Sequence, residues 1–226
     1  MLKHIPLLCI LCLLNTTSFA SEKPSAAELE EWFNDESESK IDQVNEGQIH
    51  FIKAPNKKVL HSDNRLQITQ QSIDDGWVKL HQCYRHLDAV PEVEVVYQYH
   101  SMRDLKIEKT SGIGKAQVEN NTVQLKDVSK QASLCVSAEV RAFYQNDDKT
   151  FTLVSGPYQR RFLDGYYPMH VTLEIHYPDD VLRFLSARPD SPAGFRIERS
   201  KNRLHVDSFF EGRLYTELKF KQISGN

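Results

Sequence analysis

From Gly47 onward, hydrophobic and polar residues alternate with a period of two, which is typical of β-strands with one buried face. Turn-forming residues such as Asp75-Gly76 and Asn120-Asn121 separate the alternating runs. The pattern predicts strands at 48–53, 65–70, 76–83, 93–99, 104–109, 115–119, 122–126, 133–144, 150–154 and 158–162. After Asp164-Gly165 it predicts a second group, at 169–177, 181–187, 195–199, 203–207 and 213–220.

Short strands at this spacing, without alternating long helices, indicate an antiparallel all-β protein. We predict a β-sandwich domain over residues 48–163 and a smaller C-terminal β unit over 164–226, packed against it. Leu163-Asp164-Gly165 is the predicted joint between them.

One short helix is predicted before the strands. Ser25 and Glu28 have the spacing of a capping box, and Leu29, Trp32 and Phe33 follow at helical spacing. Three apolar residues cannot stabilise an isolated helix, so it must dock, either on its own body or on a partner. The whole stretch 21–47 is therefore predicted to be an acidic helix followed by a flexible linker.

The first twenty residues have the pattern of a secretory signal peptide. Lys3 and His4 precede an apolar run over 5–14, and Ser18-Phe19-Ala20 forms a small-x-small cleavage site. A transmembrane helix needs about 20 apolar residues, so this run is too short to be one, and we expect no transmembrane segment. The signal predicts a mature chain that begins at Ser21 and is periplasmic or secreted.

Composition narrows the function classes only slightly. Hydrophobic residues make up 40% and charged residues 26%, with a net charge of −3, which is ordinary for a globular protein. Residues 21–47 are acidic and the remainder of the mature chain is mildly basic, without the concentrated basic stripe of nucleic-acid-binding proteins. We therefore expect no nucleic-acid partner.

The residues around the second mature cysteine resemble a known arrangement. The segments 123–128 and 132–136 are similar to the corner and following strand of immunoglobulin-like and fibronectin-III-like domains. Tyr97 stands where such domains place a core aromatic residue. The resemblance covers at most 48–163 and implies an immunoglobulin-like β-sandwich; it implies no activity, because such domains host many functions.

Cys83 and Cys135 are the only cysteines beyond the signal peptide, and an exported protein is expected to join them in a disulfide. By strand alternation Cys83 lies opposite the face of Leu80, and Cys135 opposite the face of Val136. Both cysteines thus lie on the more polar faces, so the predicted bridge joins neighbouring strands of one sheet rather than crossing between sheets.

The same region allows a metal site as an alternative. His81 and Cys83 share a strand face, and His86 and Cys135 could complete a two-histidine, two-cysteine set for zinc or copper. The spacing matches no recognised zinc finger, and oxidation of the thiols would abolish the site. We predict the disulfide and no cofactor.

Four polar residues, His170, Thr172, Glu174 and His176, alternate along one predicted strand face. Six residues of strand separate the two histidines by about 20 Å, which is too far for a shared metal ion. We interpret these side chains as an outward, solvated face.

Aromatic and basic residues mix near the predicted joint, as in many recognition surfaces. The candidate recognition surface comprises Tyr158, Arg160, Arg161, Tyr166 and Tyr167. The alternative is that these tyrosines pack where the two β groups meet.

These patterns leave three function hypotheses open. The first is a non-catalytic, soluble exported protein that acts as a binding or assembly accessory for another exported protein or envelope component. The second is a metal-binding or redox protein that uses the histidine–cysteine set. The third is a hydrolase whose site is assembled from distant loops, because the sequence contains no recognised catalytic motif.

Overall fold

The computed structural model describes residues 47–190 and 193–223. The predicted signal peptide and all but Gly47 of the acidic helix and linker lie outside the described residues. Within them the chain is all-β, with one single-turn helix, α1 (Ser72–Asp75). The strands are β1 (His50–Phe51), β2 (Leu60–Gln67), β3 (Trp77–Leu87), β4 (Val90–Val96), β5 (Met102–Glu119), β6 (Thr122–Arg141), β7 (Phe143–Gln145), β8 (Thr150–Tyr158), β9 (Arg161–Phe162), β10 (Gly165–Tyr166), β11 (Met169–His176), β12 (Leu182–Arg188), β13 (Phe195–Ser200), β14 (Arg203–Glu211) and β15 (Leu214–Gln222).

Two larger sheets organise these strands. The nine-stranded sheet has the order β1-β14-β11-β2-β3-β6-β4, with β13 also paired to β14 and β5 also paired to β6. The four-stranded sheet has the order β12-β15-β8-β7. Strands β9 and β10 form a separate two-stranded hairpin.

The buried side chains of the two larger sheets form one hydrophobic cluster. On β11, Val171, Leu173 and Ile175 are fully buried, whereas the residues between them are partly exposed. On the four-stranded sheet, Phe151 and Phe220 are fully buried in the same cluster. The alternation in the sequence thus arises because every second side chain of a strand is buried in the core. The arrangement is compatible with a β-sandwich.

Strands from both sides of the predicted joint share each larger sheet. β11 pairs with β2, and β15 pairs with β8. The described residues accordingly all belong to one compact unit. The division at 163/164 therefore does not correspond to separate sheets, because the later strands fill positions between and beside the earlier ones.

The antiparallel prediction is wrong for one pair, since β2 and β11 run parallel over Met169–His176. Strands β3 to β10 lie between β2 and β11 in the chain. A parallel pair requires a long connection of this kind. The remaining pairs are antiparallel.

Two strands are longer than predicted, because bulges interrupt the alternation without ending the pairing. Each of β5 and β6 spans two predicted strands, and together they form one long hairpin. The register shifts between Ser111 and Ile113, where Gly112 has a φ of 69° and an added Cβ would lie 3.2 Å from that of Ala132. A pattern of strict alternation cannot follow a strand through such a point.

Candidate functional site

Cys83 and Cys135 are direct partners in the register of β3 and β6. Their Cα atoms are 4.1 Å apart and the sulfurs lie at bonding distance, which confirms the predicted proximity. The neighbouring positions Leu80 and Val136 are buried on the opposite face. The bridge thus joins adjacent strands of one sheet, as the strand-face argument predicts.

The bridge also bears on the alternative metal set. With both sulfurs bonded, neither is a thiolate, which is the form that binds zinc or copper. His81 is exposed on β3, while His86 has a φ of 60° and lies within a register shift of that strand. Among the described residues, no group of three or more His, Cys, Asp or Glu side chains is placed to hold a metal ion.

An aromatic stack crosses the outward face of the nine-stranded sheet. The ring of His170 stacks on His61 and on Phe209, with centroid distances of 4.0 and 3.9 Å. His61 Nε2 lies 2.9 Å from Thr172 Oγ1, and His170 Nε2 lies 2.7 Å from Asp207 Oδ1. Burial, followed by the charge of His170, lowers the pKa of His61 to about 4.

Ion pairs connect most other charges on this face. Asp63 accepts from Arg85 at 2.9 Å, and Asp207 accepts from Arg196 at 2.8 Å. Glu174 lies 3.3 Å from Arg65, and the bond from His176 is the main cause that lowers its pKa. The predicted outward face is therefore correct, but its side chains are bonded to one another across the strands.

Two shallow cavities of about 440 and 650 Å³ lie on the same face and share Arg65 and Gln67. Within the described residues, the buried side-chain atoms without a hydrogen-bond partner are Gln82 Oε1, Tyr97 OH and Ser208 Oγ. None of these residues lines either cavity. The two cavities thus lack the buried, unsatisfied polar group that would orient a ligand.

The structure separates the five residues of the candidate recognition surface. Tyr158 is buried, its hydroxyl lies 2.6 Å from Ser155 Oγ, and burial raises its pKa. Tyr158 therefore presents almost no exposed surface and packs against the core at the end of β8. The alternative of tyrosine packing holds for this residue.

Arg160 supports the base of the β9–β10 hairpin. Its guanidinium donates two bonds to the carboxylate of Asp88, at 2.9 and 2.7 Å, and one to the carbonyl of Pro168. It also lies over the rings of Phe162 and Tyr167. Since its donors are engaged within the protein, Arg160 holds the hairpin in place.

The tip of the hairpin points into solvent. Leu163 is fully exposed there. Arg161 and Arg213 lie over the ring of Tyr166, and Arg213 Nε donates to the Tyr166 hydroxyl at 2.9 Å. We call Arg161, Leu163, Tyr166 and Arg213 the hairpin surface.

A cleft of about 180 Å³ opens beside this hairpin. One wall is β4 with Glu94, Val95 and Val96, followed by Gln98. The other wall, the floor and the rim comprise Tyr84, Pro157, Tyr158, Gln159, Arg161 and Met169. Val96 is 53% exposed, whereas Met169 is buried, so the cleft leads from solvent towards the core.

Tyrosines cluster behind the floor of the cleft. Burial is the main cause that raises the pKa values of Tyr84, Tyr97, Tyr99 and Tyr158, so their phenols stay neutral. The Tyr97 hydroxyl lies close enough to Tyr84 to raise the pKa of Tyr84. Among the described residues, however, the Tyr97 hydroxyl has no hydrogen-bond partner of good geometry. Sequence reasoning placed Tyr97 in the core but missed the cleft, because four scattered tyrosines carry no local signal that they converge.

No helix in the described part of the chain is long and apolar enough to span a membrane. The chain matches no protein-family model and has no significant match among curated proteins.

Proposed function

We propose that this protein is an exported, non-catalytic binding or assembly accessory, periplasmic or secreted, that acts on another exported protein or an envelope component. The leader pattern of residues 1–20 and the close Cys83–Cys135 pair support export. We propose further that its two larger sheets form an immunoglobulin-like β-sandwich. The single core cluster supports this fold.

The hairpin surface carries the binding proposal. Burial of the fully exposed Leu163 by a partner would remove its apolar surface from water, which is favourable. Arginine and tyrosine flank this leucine, and both residue types are enriched among the energetically dominant residues of interfaces. The Arg160–Asp88 contact holds the hairpin and so reduces the ordering cost of binding.

Site-specific photo-crosslinking tests this proposal. A photoreactive amino acid replaces Leu163 in the full-length chain, expressed in the cell that exports it. The matched control places the same amino acid at Tyr215, which is 52% exposed on the four-stranded sheet. We expect one discrete protein adduct from position 163 that position 215 does not give. Equal adducts from both positions, or none from position 163, would contradict the proposal.

A further inference from the structure

The cleft beside the hairpin borders the edge of β4 rather than one of its faces. Alternate side chains of a strand point to opposite faces, yet three consecutive residues, Glu94, Val95 and Val96, line the cleft. Pro157, Tyr158 and Gln159 are likewise consecutive on the opposite wall. The cleft is therefore a slot between two lengths of extended chain.

The edge of β4 that faces this slot is open. Within residues 47–190 and 193–223, β4 pairs with β6 alone, so the backbone groups on its other side have no strand partner. Such an edge can accept an added strand. Glu92 is paired with Lys126 on β6, whereas Glu94 bonds to the neutral amide of Gln124 and lines the cleft, so an acidic residue of the partner must lie at the Arg161 end.

We propose that an extended segment of a partner protein adds to this edge of β4 and seats one apolar residue in the cleft, with an acidic residue beside it facing Arg161. The inference rests on the proposed binding function. It adds a second contact with the partner, at the β4 edge, and specifies the kind of partner segment that binds there. The volume of about 180 Å³ suits a single residue of that segment, and Val95, Val96 and Met169 provide apolar walls.

Charge complementarity selects the acidic neighbour. Arg161 is exposed at the rim and contacts the ring of Tyr166, but in the part of the chain that the structure describes it forms no ion pair. A carboxylate on the incoming segment would supply that pair. Backbone pairing would contribute affinity, while the cleft and Arg161 would select the sequence.

The test selects a random nine-residue peptide library, displayed on phage, on the purified mature protein, and then uses the most enriched peptide in synthetic form. We expect an apolar residue next to an acidic one, and slower amide exchange across β4 when the peptide binds. Arg161→Glu should weaken binding at least about tenfold. The matched charge reversal Arg183→Glu, at an exposed position of β12, should leave it unchanged.

The outcomes separate this inference from the function on which it rests. Leu163→Asp should leave peptide binding intact, because Leu163 does not line the cleft. No enriched peptide, or an enriched peptide that leaves exchange across β4 unchanged, overturns the cleft inference. Crosslinking from Leu163 would still support the proposed function in that case. Absence of any crosslink from position 163 with retained peptide binding would refute only the hairpin proposal.

Discussion

Replacing both mature cysteines by serine should give a folded but less stable protein. The bond closes a span of 52 residues, and the chain-entropy relation for such a loop gives about 4 kcal/mol. Residual structure in the unfolded chain reduces this figure, so we expect a loss of about 2–4 kcal/mol. The fold should survive because Val78, Leu80 and Val136 stay buried on the other face of the strands.

Equilibrium urea denaturation of the mature protein measures this loss. Wild-type protein treated with dithiothreitol should match the Cys83→Ser/Cys135→Ser variant, and the variant itself should not respond to the reductant. A variant that is unfolded at 25 °C, or as stable as the oxidised wild type, would refute the reasoning. Two reduced thiols with stoichiometric zinc or copper, lost in His81→Ala, would instead support the metal hypothesis.

Three further predictions test the core and its polar face. His61 has a folded pKa of about 4, below its unfolded value, so the stability present above about pH 6.5 should be lost as the pH falls. Partial exposure reduces that loss to about 1 kcal/mol at pH 5, measured by urea denaturation against His61→Gln, which should lack it. Phe220→Ala should cost about 3–5 kcal/mol and keep a single calorimetric transition, because Phe220 contacts Phe143 from before the predicted joint. Two transitions would contradict a shared core. Gly212→Ala should lower the melting temperature, since φ is 93° and the added Cβ would lie 2.0 Å from the Gln48 carbonyl oxygen; an unchanged value would contradict this contact.

Strand alternation predicts which side chains are buried, because the period of two follows directly from backbone geometry. The alternation alone predicts that His170 and His176 point outward and that both cysteines lie on the face opposite Leu80 and Val136. The proximity of residues 52 positions apart followed only because a disulfide demands it.

Long-range pairing carries no comparable local pattern. Nothing in the residues of β2 shows that its neighbour is β11, so the sequence could not reveal the parallel pair or the shared sheets. Bulges at positive φ, as at Gly112, hid the continuity of β5 and β6. The cleft was missed for the same reason, since its walls come from β4 and the end of β8.

The central claim is that the hairpin surface binds another protein, and an affinity measurement tests it most directly. The protein crosslinked from position 163 is purified, and its dissociation constant for the mature chain is compared with that for Leu163→Asp and for the exposed control Tyr215→Asp. We predict at least about a tenfold loss for Leu163→Asp, no change for Tyr215→Asp, and equal melting temperatures for all three chains. Equal affinity of Leu163→Asp and wild type, or the absence of any protein crosslinked at that position, would contradict the claim.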